Sequence, residues 1–230
     1  MLKRLDDSGS MAFEMDNEPM IPNEPPPRVK DLNFILSCVV PAVTLFDDDG
    51  ISMRFMNWPV AADEGERPLD PNKIYLRNLD NLRDVATVQR IVSKAPFRGT
   101  TPLGENLKKK VLDTPLVLHQ VHGNTLQKPI LLLCITDGAP MPEKPQVLFE
   151  AIRYASDACS RSRYGPGAIS FQFAQVGKDE GARQFLARLD SDPQVGKLVD
   201  CTFSKSYPRT TAFVPTLTYP FQTTRLNPRR

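Results

Sequence analysis

The string Leu5-Asp6-Asp7-Ser8-Gly9-Ser10-Met11 sets a carboxylate and two hydroxyls at alternate positions: Asp6, Ser8 and Ser10. These are hard oxygen donors, suited to Mg²⁺ or Mn²⁺, which prefer octahedral oxygen shells and often keep bound water. With 18 aspartates and 12 serines in 230 residues, chance order gives a D-x-S-x-S string only about 0.05 times. Two more oxygen donors stand far along the chain, Thr101 in Gly99-Thr100-Thr101-Pro102 and Asp137 in Ile135-Thr136-Asp137-Gly138. Taken singly, each has an ordinary explanation, because Ser-Gly-Ser suits a cap and Asp-Gly a strand-ending turn. Taken together, they are a candidate ligand set if the fold gathers them.

The elements that must gather them follow from periodicity. A first short strand precedes Asp6. Apolar residues at helical spacing (Val29, Leu32, Ile35, Leu36, Val39, Val43) predict a helix over residues 28–46, stopped by Asp47-Asp48-Asp49-Gly50 and open to bending at Pro41. Residues 51–57 and 73–77 read as short strands, and residues 79–94 as a helix. Thr101, just before Pro102, is expected to cap a helix running through Leu103, Leu107 and Val111. Residues 129–136 form a near-continuous apolar run, the pattern of a strand covered on both faces. Beyond it come a helix over 147–162, a strand over 168–176, a helix over 180–189 and a strand over 198–203. Helices alternating with buried strands predict an α/β fold with a mostly parallel sheet. In such a sheet the strand C-terminal ends share one edge, where ligands collect. Asp6, Thr101 and Asp137 all belong to connections at that edge.

Composition bounds the partners. The net charge of +2, from 29 basic and 27 acidic residues, lacks the basic excess that phosphate-backbone binding uses, so nucleic acid is not expected. Residues 32–46 are too short and too interrupted to span a bilayer. The four cysteines lie in apolar segments with no CxxC pair, which predicts buried thiols in a reducing compartment and a soluble, cytoplasmic protein. His119 and His122 sit near a Gly-Asn turn without a cysteine or carboxylate cluster and read as solvated side chains. Trp58 reads as a packing anchor.

The chain resembles the von Willebrand factor A family with its metal-ion-dependent adhesion site. The matching residues are Asp6, Ser8 and Ser10, then Thr101 in Gly99-Thr100-Thr101-Pro102-Leu103-Gly104, then Asp137 in Ile135-Thr136-Asp137-Gly138. Phe171-Gln172-Phe173-Ala174-Gln175-Val176-Gly177, followed by Ala182, Phe185, Leu186 and Leu189-Asp190, is similar to the fifth strand and following helix of intracellular members. The resemblance implies a Rossmann-like domain over residues 1–205. Its central sheet would be mostly parallel with one antiparallel edge strand, flanked by helices on both faces. It also implies a non-enzymatic module in which Ser8, Ser10 and Thr101 supply hydroxyl ligands, and Asp6 and Asp137 bind Mg²⁺ or Mn²⁺ directly or through water. An exposed Asp or Glu of a protein partner would then complete the ion's shell.

Three features depart from the family pattern. Lys3 and Arg4 occupy what should be a central strand buried on both faces, which is costly unless the strand frays or the charges reach solvent; a longer native N-terminus is one expectation. The acidic, proline-rich residues 12–27 form a loop beside the metal edge that could gate the site or offer an internal carboxylate. The Pro- and Thr-rich residues 206–230 replace the final amphipathic helix of some adhesion members, and little regular structure is expected there. Two alternatives stand beside the leading reading. One is an Mg²⁺-dependent phosphohydrolase with Asp6 as nucleophile, though D-x-D is missing. The other is a scaffold that has lost its metal. A serine hydrolase at Ser8 or Ser10 lacks G-x-S-x-G.

Overall fold

The structure is a computed structural model that describes residues 2–13, 21–58 and 79–203. The first strand, β1, is Leu2–Leu5, and a single 3-10 turn at Gly9–Ala12 leads away from it. Helix α1 follows at Pro27–Thr44, with proline at its first position, where no amide bond is lost. It buries Val29, Leu32, Leu36, Val39 and Val40, one stripe at three- and four-residue spacing, while Pro41 stays on the exposed side. Strand β2 is Ser52–Phe55 and helix α2 is Val85–Ser93, shorter than the sequence predicts because Asp84 caps it by accepting from the Thr87 amide.

Helix α3 spans Leu103–Leu107 and runs on into a π turn at Lys108–Leu112, and a short helix α4 lies at Leu118–His122. Strand β3 is Ile130–Thr136, helix α5 Gln146–Ser160, strand β4 Ile169–Gln175, helix α6 Glu180–Asp190 and strand β5 Val199–Thr202. Each lies within two residues of its predicted bounds, except α4, which the sequence reading leaves unassigned.

The strands form one sheet in the order β2-β1-β3-β4-β5, and every pairing is parallel. The expected antiparallel edge strand is therefore not found among the described residues. The predicted strand over 73–77 lies outside them, as do the tail and residues 14–20 of the acidic loop. Helices cover both faces. One core packs Val29, Leu32 and Leu36 of α1 and Val88, Ile91 and Val92 of α2 against Leu5, Met53, Phe55, Leu133 and Ile135. The other packs α3, α4, α5 and α6 against Leu2, Leu132, Cys134, Phe171 and Phe173. Gly104 lets α3 lie on α5: a Cβ there would meet the Leu148 amide nitrogen at 2.4 Å.

Strand β1 alternates across these cores. Lys3 and Arg4 are both buried within it rather than frayed or solvated, against the expectation from sequence. Among the described residues no helix is long and apolar enough to cross a membrane. The chain passes outward from β1 to β2 and then back across to β3, so the strand order reverses between β1 and β3. The crevice beyond their C-terminal ends is where an α/β sheet of this kind binds ligands.

Candidate metal centre

Asp6 leaves β1 with its backbone still in the ladder, donating its amide to the Ile135 carbonyl at 2.9 Å. Its buried carboxylate is held on both oxygens. Oδ1 accepts from the Ser8 amide at 2.9 Å, and Oδ2 from the Thr136 hydroxyl at 2.6 Å. The first contact is an Asx turn, which aspartate favours after a strand, and it fixes the path of Ser8-Gly9-Ser10.

Hydroxyls and carboxylate then form a chain. Ser8 Oγ and Ser10 Oγ are 3.0 Å apart, and Ser10 Oγ donates to Asp137 Oδ1 at 3.0 Å. With its own hydrogen committed to Asp137, Ser10 accepts from Ser8. Met11, fully buried in the core under α1 and α2, anchors the turn that presents Ser10. Four of the five predicted donors, Asp6, Ser8, Ser10 and Asp137, thus meet at the ends of β1 and β3.

Thr101 stands differently. The expectation that it caps α3 is not met: Pro102 occupies the N-cap position, and the Thr101 backbone pairs with Met141 in an isolated bridge, N to O 2.9 Å one way and 3.1 Å the other. Glu143 does the capping, its carboxylate accepting from the amides of Gly104 at 2.7 Å and Glu105 at 2.6 Å. The Thr101 loop is nevertheless tied to the site. Gly9 donates to the Gly99 carbonyl at 3.1 Å, Asn57 Nδ2 to the Thr100 carbonyl at 3.0 Å, and Arg4 Nη2 to the Pro102 carbonyl at 3.1 Å. The Thr101 hydroxyl itself has no hydrogen bond to any described residue.

Asp7 turns away and serves the frame, accepting from the amides of Asn57 and Trp58 at 2.8 Å each and from Asn57 Nδ2 at 3.1 Å. Trp58 packs edge-on against Phe55, ring centroids 5.3 Å apart, as an end-of-strand anchor. His119 and His122 are exposed on α4, the helix leading into the start of β3. All four cysteines are free; Cys134 and Cys159 are buried, whereas Cys38 and Cys201 are only half-buried, short of the predicted burial.

Two residues of the site escape the sequence reading. Thr136 supports Asp6, and only its place at the end of an apolar strand hints at that. Arg28 is the larger omission: it pairs with Asp137 Oδ2, and its Nη1 donates to the Ser10 carbonyl at 3.1 Å. A signal was present, since a cation in the first turn of a helix opposes the macrodipole and needs another reason to be there. Burial and the neighbouring Asp6 carboxylate push Asp137 up to about 6, against the pull of Arg28 and Ser10.

The donor chemistry fits a hard dication, with carboxylate and hydroxyl oxygens in mutual contact. Among the described residues no three Asp, Glu, His or Cys side chains come together. An ion here would therefore rest largely on neutral hydroxyls, with a guanidinium beside one of its two carboxylates.

No family model and no curated protein matches the chain. Among solved structures it is similar to a von Willebrand factor type A protein from Catenulispora acidiphila, at 16% identity and a TM-score of 0.46, over 89% of this chain and 38% of that one.

Proposed function

We propose that the chain is a non-enzymatic protein-binding module that holds Mg²⁺ or Mn²⁺ through Asp6, Ser8, Ser10, Thr101 and Asp137, and docks an acidic side chain of a partner on the ion. The observation that carries this reading is the Ser8–Ser10–Asp137 hydrogen-bond chain at the β1/β3 switch point. Its hydroxyls leave an ion under-neutralised, and a carboxylate from outside completes the shell. Binding, with no bond broken, is the chemistry the donors support.

The phosphohydrolase alternative needs a free Asp6 oxygen to attack phosphorus. Asp6 lies buried beneath the Ser8 amide and the Thr136 hydroxyl, where a remaining lone pair can support an ion directly or through water but is not exposed to a phosphoryl group. Exposed histidines on α4 give a serine nucleophile no base. The free thiols and the small net charge accord with a cytoplasmic setting and a protein rather than a nucleic-acid partner.

The Arg28–Asp137 pair favours a second reading, a scaffold in which the guanidinium stands in place of a metal. Calorimetric titration with Mg²⁺ and Mn²⁺ separates the two. The leading reading expects binding to the wild type, lost in Ser10→Ala and Asp137→Ala, and capture of an acidic partner that chelator abolishes. A wild type with no metal response selects the scaffold.

A further inference from the structure

We propose that Arg28 is a built-in counter-charge that makes the divalent ion and an acidic group load together, so that the ion alone binds poorly; this rests on the metal reading above. Arg28 sits at the second residue of α1, where the helix dipole disfavours a cation and Pro26 provides no side-chain cap. What holds it there is the site itself, through the Asp137 carboxylate and the Ser10 carbonyl.

The pocket for its stem is also specific. Gly177, at the end of β4 with φ +76°, lies under the guanidinium, and a Cβ at that position would approach Arg28 Nε to 3.1 Å. Nε is buried and has no hydrogen-bond partner among the described residues. An arginine placed against the dipole, with one donor unsatisfied, is held for its charge rather than for helix stability.

The charge count gives the consequence. Asp6 and Asp137 contribute two negative charges and Arg28 one positive, so the ion-free site carries a net charge of about −1, and a dication alone would bring it to about +1. The same two carboxylates without an arginine would be neutral once loaded. In this chain the surplus positive charge is offset only when an anionic group joins the ion. Arg28 already holds Asp137 Oδ2, so an ion must draw that carboxylate from the guanidinium, and an incoming acid gives the released guanidinium a new partner; ion and acid therefore favour each other, by the same factor in each direction.

Calorimetric titration of Mn²⁺ into the wild type, Arg28→Gln and Arg28→Lys tests this, each without and with saturating acetate at ionic strength matched by chloride, and with folding checked by circular dichroism. In the wild type, acetate is expected to tighten Mn²⁺ at least tenfold. Arg28→Gln should bind Mn²⁺ alone at least tenfold more tightly than the wild type and respond to acetate less than threefold, while Arg28→Lys keeps the wild-type pattern. Equal Mn²⁺ affinity and equal acetate response in wild type and Arg28→Gln overturn the inference and leave the metal reading standing. If Arg28→Gln does not fold, the wild type decides alone, and no tightening by acetate overturns the inference. Absence of binding to all three proteins overturns the metal reading and this inference with it.

Discussion

Lys3 and Arg4 are neighbours in β1, both almost wholly buried at 0% and 2% exposure, and they face opposite cores with opposite outcomes. Arg4 lies on the α3–α5 face and donates to the carbonyls of Pro102 and Leu103, tying the central strand to the loop that carries Thr101. Lys3 lies between Met53 and Leu133 on the α1–α2 face, and its ammonium has no hydrogen-bond partner among the described residues. The difference is one of shape: the arginine fork spans two acceptors, whereas the lysine stem ends among hydrocarbon.

Lys3 should therefore weaken the fold at neutral pH. Burial lowers it from its ordinary 10.5 to about 7. The native state thus binds fewer protons than the unfolded state between those two values. Its cost is full below pH 7 and fades as pH rises toward 10.5. Lys3→Met should stabilise by on the order of 4 kcal/mol at pH 7, taking about 1.36 kcal/mol per pKa unit. The gain should shrink toward zero near pH 10. Urea unfolding of both proteins across that range checks it, and a pH-independent difference would refute the assignment.

Arg4→Met should act the other way. It strands the Pro102 and Leu103 carbonyls in the interior, and a buried acceptor left unpaired costs about 1–3 kcal/mol. Denaturant midpoints read the loss directly. A neutral Arg4→Met would mean that water or another donor reaches those carbonyls.

Apart from α2, which starts later than expected, and the unassigned α4, the extent of the elements was legible because burial on one face or both imposes period 3.6 or continuous apolarity, as in Val29-Leu32-Leu36-Val39 of α1 and Ile130–Thr136 of β3. Four donors of the candidate site could be gathered on paper because strand ends share an edge. What could not be read was any relation that depends on side chains from distant segments. Glu143 caps α3 from 38 or 39 residues away and leaves Thr101 to pair with Met141 instead. Arg28 reaches Asp137 across 109 residues. Local spacing carries no trace of either, beyond a cation at the wrong end of a helix.

The adjacent aspartates should separate cleanly. Asp7→Asn disturbs a carboxylate that accepts three hydrogen bonds from Asn57 and Trp58, so it should cost about 1–3 kcal/mol while leaving Mn²⁺ binding within a few-fold of wild type. Asp6→Asn removes a charge from the site and should abolish Mn²⁺ binding. Paired unfolding and calorimetric titrations test both, and Mn²⁺ binding lost in Asp7→Asn with stability intact would move the site to the wrong carboxylate.

Thr101 offers the sharpest contrast between a structural and a binding role. Were it the cap of α3, Thr101→Ala would lower stability by about 1 kcal/mol. Its backbone is instead committed to Met141, and the α3 amides belong to Glu143. Thr101→Ala should therefore leave the unfolding midpoint unchanged, and Glu143→Ala should carry the capping loss of about 1–2 kcal/mol. The Thr101 hydroxyl, free of other partners among the described residues, should show its worth only when Mn²⁺ is titrated, as a weakening of at least tenfold. A Thr101→Ala protein that binds Mn²⁺ like the wild type would remove this residue from the ligand set and leave the ion to Asp6, Ser8, Ser10 and Asp137.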